Sequence, residues 1–177
     1  QKKGGYEIYQ SPEASAYPAT YIRTPAGAYF WTGVDFTGIC YSKSRVPEAD
    51  APKNWKDLLD PRWRNAMSCK IAASGLQFVE WYELRKLYGD DYWKSFAKQN
   101  PHAFDSRVQL MDRLAHGDDK ITSVGEYAAY VLYQKKGAKI AWVAPPDGLP
   151  ATPLIVGAVN KAPHPETAKL IVDRAMS

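Results

Sequence analysis

The sequence predicts an α/β fold: a doubly wound, mostly parallel sheet with helices on both faces. Three observations lead there. Short runs rich in β-formers alternate with segments of helical period from Phe36 onward. Each helix follows almost directly on a strand, the order that parallel strands with right-handed crossovers require. Hydrophobic residues make up 45% of the 177 and charged residues 24%, enough apolar surface to build a core.

The elements follow in order. The first 35 residues, rich in Pro, Ala and Tyr, read as irregular. Phe36 to Ser42 reads as a strand, with Ile39 and Tyr41 alternating. Asn54 to Leu59 is a short helix that Asp60-Pro61 ends. Ser68 to Ala73 is a strand. Ser74-Gly75-Leu76-Gln77 fits a capping box, and Phe78, Trp81, Leu84 and Tyr88 mark the apolar face of the helix it opens, up to Gly89. Asp90 caps a helix carrying Tyr92, Trp93 and Phe96. His102 to Phe104 is a strand, and Asp105 or Ser106 caps a helix that stops at Gly117. Lys120 to Val124 is a strand, Glu126 to Lys136 a helix, and Lys139 to Val143 a strand. After a turn-rich loop, Leu154 to Val159 is the last strand, and Pro165 begins a final helix through Met176. Composition shifts near residues 35 and 150 mark candidate domain boundaries.

Several function classes are excluded. Net charge is +4 and the densest basic run is Lys135-Lys136, too short to track a phosphate backbone, so no nucleic acid is expected. No run approaches the roughly 18 apolar residues of a membrane helix, so no membrane insertion is expected. No signal peptide is visible. Cys40 and Cys69 have no metal spacing and can be two core thiols or one disulfide. The chain has no G-x-S-x-G, P-loop, dinucleotide fingerprint or H-E-x-x-H. A transferase or hydrolase would need a convergent nucleophile and base that the sequence does not offer, so an enzyme is not expected.

In open α/β sheets, ligands sit beyond the carboxyl ends of the strands. Three strand-to-helix junctions meet that description: Ala73-Ser74-Gly75, Asp105-Ser106-Arg107 and Val124-Gly125-Glu126-Tyr127. Each offers helix N-terminal amides to an anion or polar ligand. The candidate ligand-binding residues are Ser74, Gly75, Ser106, Arg107, Glu126 and Tyr127. Arg107 brings a planar donor fork suited to carboxylate or phosphate. Equally, Ser74 and Ser106 are good helix caps without any ligand, and Glu126 is a favourable first-turn acid.

An ordered set of segments resembles bacterial extracellular solute-binding proteins related to the ferric-ion-binding periplasmic proteins. Asn54-Trp55-Lys56-Asp57-Leu58-Leu59-Asp60-Pro61-Arg62-Trp63 is similar to their W-x-D-L-L-D-P-x-W segment. Lys70 to Gly75 is similar to their small-residue turn, and Val108 through Gly117-Asp118 to their V-x-x-G-E segment. Ala162 to Leu170 is similar to A-P-H-P-E-A-A-K-L. Tyr9 to Glu13, Tyr29 to Gly33 and Ile39 to Ser42 match in order as well.

The resemblance implies one lobe of a two-lobe periplasmic-binding-protein fold. Residues 36–148 would be the second lobe, 1–35 hinge and first-lobe tail, and 149–177 hinge return and a first-lobe strand-helix piece. It implies a substrate-binding component of an ABC-type importer, periplasmic or extracellular, whose partner is a membrane permease. No cofactor is implied beyond the transported ligand, a ferric ion or a small anion such as a phosphonate or sugar phosphate. Ferric-ion members use two adjacent tyrosines; the first falls on Tyr127, the candidate metal ligand, and the second on Ala128. The alternative is a ligand-sensing effector domain of a regulator with the same fold.

Overall fold

The computed structural model describes residues 4–23, 28–71 and 75–177. Seven strands are β1 (Ile22–Arg23), β2 (Tyr29–Ser42), β3 (Met67–Lys70), β4 (His102–Phe104), β5 (Ile121–Glu126), β6 (Ile140–Val143) and β7 (Ala151–Val156). Five α-helices are α1 (Gly75–Tyr88), α2 (Asp90–Ala97), α3 (Arg107–His116), α4 (Tyr127–Lys135) and α5 (Pro165–Met176). The chain divides into two units, Asp35–Thr152 and the flanking segments Gln1–Val34 with Pro153–Ser177.

In the larger unit the strands run β4-β3-β5-β2, with β6 on the far side of β2. β3 pairs parallel to β4 and β5, while β2 pairs antiparallel to both β5 and β6. β4, β3, β5 and β6 therefore all point one way and only β2 opposes them, so the sheet is mostly parallel. It is also doubly wound. Ile39 and Tyr41 of β2 pack in one core cluster with Leu84 of α1 and with Tyr92 and Phe96 of α2. Cys40, between them, packs in a second cluster with Met111 and Leu114 of α3 and Ala129 of α4. The two-residue period of the strand thus sends its side chains into two cores.

Local signals explain most boundaries. Ser106 caps α3 by accepting from the Gln109 amide, and Gly117 ends it at φ 82, a left-handed turn that glycine adopts without strain. Asn54 and Asp57 form a reciprocal capping box on the short helix Trp55–Leu59, which is 3₁₀ rather than α. Cys40 and Cys69 are both free thiols, packed in and against different clusters.

Three expectations are corrected. Residues 29–35 are not irregular: β2 begins at Tyr29, and Phe30 is buried in the smaller unit with Ala158, Val172 and Met176. The short helix Pro12–Ala16, capped by Ser11, also orders part of that stretch. The strand read as Ser68 to Ala73 ends at Lys70, and residues 72–74 lie outside the described ones. Helix α1 does not bury Phe78, which is 56% exposed; its buried positions are Gln77, Glu80 and Leu84. The capping box read at Ser74 lies outside the described residues, and the Gln77 Oε1 accepts from the Lys70 amide at 2.9 Å.

One close approach shapes the edge of the sheet. A Cβ on Gly38 would lie 2.6 Å from Cζ2 of Trp142, whose indole covers the strand there. Gly38→Ala is therefore expected to cost about 1–3 kcal/mol, the scale of overpacking a close-packed site, and to displace Trp142. Denaturant unfolding together with near-ultraviolet circular dichroism would check it; unchanged values in both would refute the close packing.

At the opposite edge, Asp119 joins β4 to α3. Its fully buried carboxylate lies 2.7 Å from Nδ1 of His102 on β4 and accepts from Nε and Nη2 of Arg113 on α3 at 2.7 and 3.1 Å. Burial alone pushes this carboxyl up, but the bonds from Arg113 and His102 outweigh it and hold the group below the usual carboxylate range. A depressed carboxyl contributes stability above its unfolded value, about 3.9, and loses it as pH falls through the folded value. Asp119→Asn is accordingly expected to cost about 1.5–3 kcal/mol at neutral pH, the scale of hydrogen bonds to a charged group. The gap should narrow below about pH 4, where the unfolded chain takes up the proton first, and close once the native carboxylate is protonated at lower pH. Urea titrations of both proteins at neutral and acid pH would show it, and a gap independent of pH would refute this account.

Candidate functional site

Because four strands share a direction, the carboxyl ends of β3 and β5 lie along one edge of the larger unit, and α3 and α4 start from that edge. Ser74 lies outside the described residues. Gly75 opens α1 and is exposed, with nothing within 4 Å of where a Cβ would stand. No close approach therefore demands glycine there, and its helix packs on the face opposite α3 and α4. Ser106 spends its hydroxyl on the Gln109 amide at 3.3 Å, as a helix cap.

The remaining three candidates come together. Arg107, the first residue of α3, donates from Nη1 to Oε1 of Glu126, the last residue of β5. The Glu126 side chain is only 5% exposed, whereas that of Arg107 is 52% exposed. A buried acid thus holds a cation that still faces water. Burial pushes the Glu126 carboxyl up, and the negative charge of Asp35 adds to this; Arg107 and Lys70 act against it. The Asp35 carboxyl is also pushed up by burial, with Arg107 again opposing. Two carboxylates and two cations consequently interact at this edge.

Tyr127, next in the chain, is 41% exposed and not part of the core. Its ring stacks on Phe36 with centroids 5.3 Å apart and meets the edge of Trp142 at 5.0 Å; Tyr130 is 6.0 Å away. The indole of Trp142 is fixed by donating from Nε1 to the Gly125 carbonyl at 2.7 Å. The glycine at 38 that admits Trp142 thereby sets the aromatic platform beside the charges. Such a platform offers π-faces and a phenol, and the charged cluster offers directional hydrogen bonds. Among the described residues, no group of three or more His, Cys, Asp or Glu is placed to hold a metal ion.

Sequence reasoning missed Asp35, Lys70, Phe36 and Trp142. One signal was present: Asp35 is the one charge in a run, Phe30 to Thr37, that is otherwise aromatic or β-branched apart from Gly33. A charge there asks for a counter-charge nearby. Trp142 carried no comparable signal, because only the pairing of Cys40 with Trp142 brings it over Gly38.

Structural comparison gives the same fold in several solved proteins. The substrate-binding protein of an ABC transporter from Agrobacterium tumefaciens superposes with a TM-score of 0.89 at 12% identity, covering 99% of this chain and 55% of that one. AfuA of Actinobacillus pleuropneumoniae, with fructose-6-phosphate bound, gives 0.86 at 22% identity, covering 99% and 58%. Iron-bound HitA of Pseudomonas aeruginosa gives 0.80 at 17% identity, covering 99% and 61%. At these identities the likeness establishes the fold, and the chain spans less than two thirds of each of these proteins. No curated protein sequence matches the chain. Residues 1–176 match the family described as bacterial extracellular solute-binding protein, and the chain belongs to that family.

Proposed function

We propose that this chain belongs to the substrate-binding component of an ABC-type importer and that it holds a small solute at the strand-end edge of the larger unit. The observation that carries the reading is the exposed Arg107 guanidinium, anchored by buried Glu126 and flanked by the Tyr127 platform. Side chains fixed in this way pre-organise a site, which lowers the entropy lost on binding. No chemistry on the solute is proposed. By the same reading the protein is periplasmic or extracellular and hands its solute to a membrane permease. The larger unit would be the second lobe of the two-lobe fold, and the flanking segments would be hinge and first-lobe pieces. Ligand contacts made by both lobes would then shift the protein toward its closed form. Nothing favours the regulator alternative.

For the solute itself, a small anion is the better supported choice. Arg107 and the helix N-termini of α3 and α4 supply directional donors that suit an anion. Ferric iron would rest on Tyr127, with Ala128 in the place of a second phenolate. AfuA and HitA, with a sugar phosphate and iron bound respectively, represent the two choices within this fold.

Two variants of the intact protein separate them. For an anion, Arg107→Ala should weaken binding by about 1.5–3 kcal/mol, the scale of a hydrogen bond to a charged group. Tyr127→Phe should then matter less, because it removes one hydroxyl and keeps the stacked ring. For ferric iron the order reverses, and Tyr127→Phe abolishes binding together with any tyrosinate-to-metal colour. Native mass spectrometry of the protein purified without refolding would identify a retained solute for titration calorimetry. Full affinity in both variants would remove the site from this edge.

A further inference from the structure

We propose that a pocket at the amino end of β5 is a second binding site, for a compact free dianion of the sulfate or phosphate kind, built by Arg45, Arg62 and Lys120. The pocket measures about 220 Å³, and the buried side chains of Val46 and Trp63 line it between the three cations. Lys120 immediately precedes β5, whereas Glu126 of the candidate solute site ends it. The six residues of β5, at about 3.3 Å each, set the two places about 20 Å apart. The pocket is therefore distinct from the strand-end edge.

Three chain segments bring the cations together, and backbone bonds hold each segment. After β2, the amides of Arg45 and Val46 both donate to the Ser42 carbonyl, at 3.1 and 2.9 Å. Lys120 is fixed on two sides: its amide donates to the Ala66 carbonyl at 2.8 Å, and its carbonyl accepts from the Ser42 amide at 2.9 Å. Arg62 lies in the short 3₁₀ turn Pro61–Trp63, which Asp60 caps. The two arginine side chains are set as well. The stem of Arg45 passes over Gly117, where a Cβ would stand 3.2 Å from its Cγ, and Nη1 donates to the Gly117 carbonyl. The Arg62 guanidinium lies over the Trp63 ring, 4.4 Å from its centroid. Groups held in this way lose little freedom when a ligand arrives.

Charge and size decide the class of ligand. Asp50 is the one carboxylate among the lining residues, and its Oδ1 lies 3.8 Å from Nη1 of Arg62. Asp60, outside the lining, takes Nε of the same arginine at 3.2 Å. Arg45 spends its bond on a neutral carbonyl. The half-buried Lys120 makes no side-chain hydrogen bond or ion pair among the described residues. Three lining cations against one carboxylate leave two positive charges in excess, which a dianion balances. Concave walls of one sign also strengthen the field between them. Pockets for larger organic ligands start at about 300 Å³, so the smaller volume here suits a single oxyanion. A guanidinium fork can bond two of its oxygens, and the ammonium brings three further donors.

Titration of the intact protein with sulfate, followed by the backbone amide signals in nuclear magnetic resonance, tests the site. Sodium chloride holds the ionic strength constant, because screening alone moves exposed charges. The signals of Arg45, Val46 and Lys120 should shift and saturate with sulfate, and inorganic phosphate should reproduce the shifts. Chloride alone should give no saturation. Lys120→Gln removes no contact of the fold and should weaken sulfate by about tenfold or more, as the loss of a hydrogen bond to a charged group does. Lys120→Arg, which restores the charge, should recover most of that loss. Arg107→Ala, at the far end of β5, should leave the titration unchanged. A shift that stays linear, or an affinity equal in the wild type and Lys120→Gln, would overturn the proposal. Tighter binding of a phosphomonoester such as glycerol phosphate than of either free ion would overturn the assignment to a free dianion. A failure to find solute at the strand-end edge would leave these titrations as they are.

Discussion

Strand β5 imposes the constraint on which the larger unit depends: all six of its residues are buried, yet half of them carry polar side chains. It lies between β2 and β3 with helices over both faces, so water cannot serve these groups. Polar side chains buried in this way call for partners within the protein. Thr122 donates to the Ser68 carbonyl at 3.1 Å, which joins β5 to its parallel neighbour. Glu126 holds Arg107 of α3, whereas the Ser123 hydroxyl is buried without a hydrogen-bond partner among the described residues. A single strand therefore specifies the seating of a neighbouring strand and of helix α3. The residues that meet this demand at its carboxyl end are also those of the candidate site.

How far this was legible depended on the range of the interaction. Helices α3 and α5 announce themselves through adjacent residues, Ser106 and Gly117 for one and Pro165 for the other. Their bounds agree closely with the sequence reading, because caps and stops act over three or four residues. Helix α1 misled the reading for the converse reason. Its Phe78, Trp81 and Leu84 do form an apolar pattern, but Gln77 is claimed by the amide of Lys70 on β3 and Glu80 is buried beside it on the helix. A pattern within one segment cannot reveal a claim made from another. The length of β2 was hidden similarly, since residues 29–34 belong to the smaller unit and residues 35–42 to the larger.

The candidate site divides along the same line. Arg107, Glu126 and Tyr127 were legible because strand-to-helix junctions in a parallel sheet must face one edge. Ser106 was legible as a helix cap, and its hydroxyl oxygen accepts from the Gln109 amide as its type and position allowed. Asp35, Lys70 and Trp142 were not legible as site residues. Their roles come from the antiparallel entry of β2 and from the approach of an indole to Gly38, which are properties of pairing and not of local sequence.

The charge balance of the edge bears on how it can select a solute. Arg107 and Lys70 face Asp35 and Glu126, so the four charges nearly cancel and net attraction cannot be the main source of affinity. Selectivity must then come from direction. Glu126 engages Nη1 of Arg107, and a guanidinium has five N–H donors in a rigid plane. A cation anchored by a buried acid loses less freedom on binding than a free surface arginine, and its plane is already set. The platform of Tyr127, Phe36 and Trp142 fixes a second direction, beside Glu126. On the proposed reading, a solute that engages both would carry a polar group and a flat or apolar body in a defined relation. One that offers charge alone would have to compete with Glu126 for the arginine, and a buried, unpaired Glu126 would be the cost of winning.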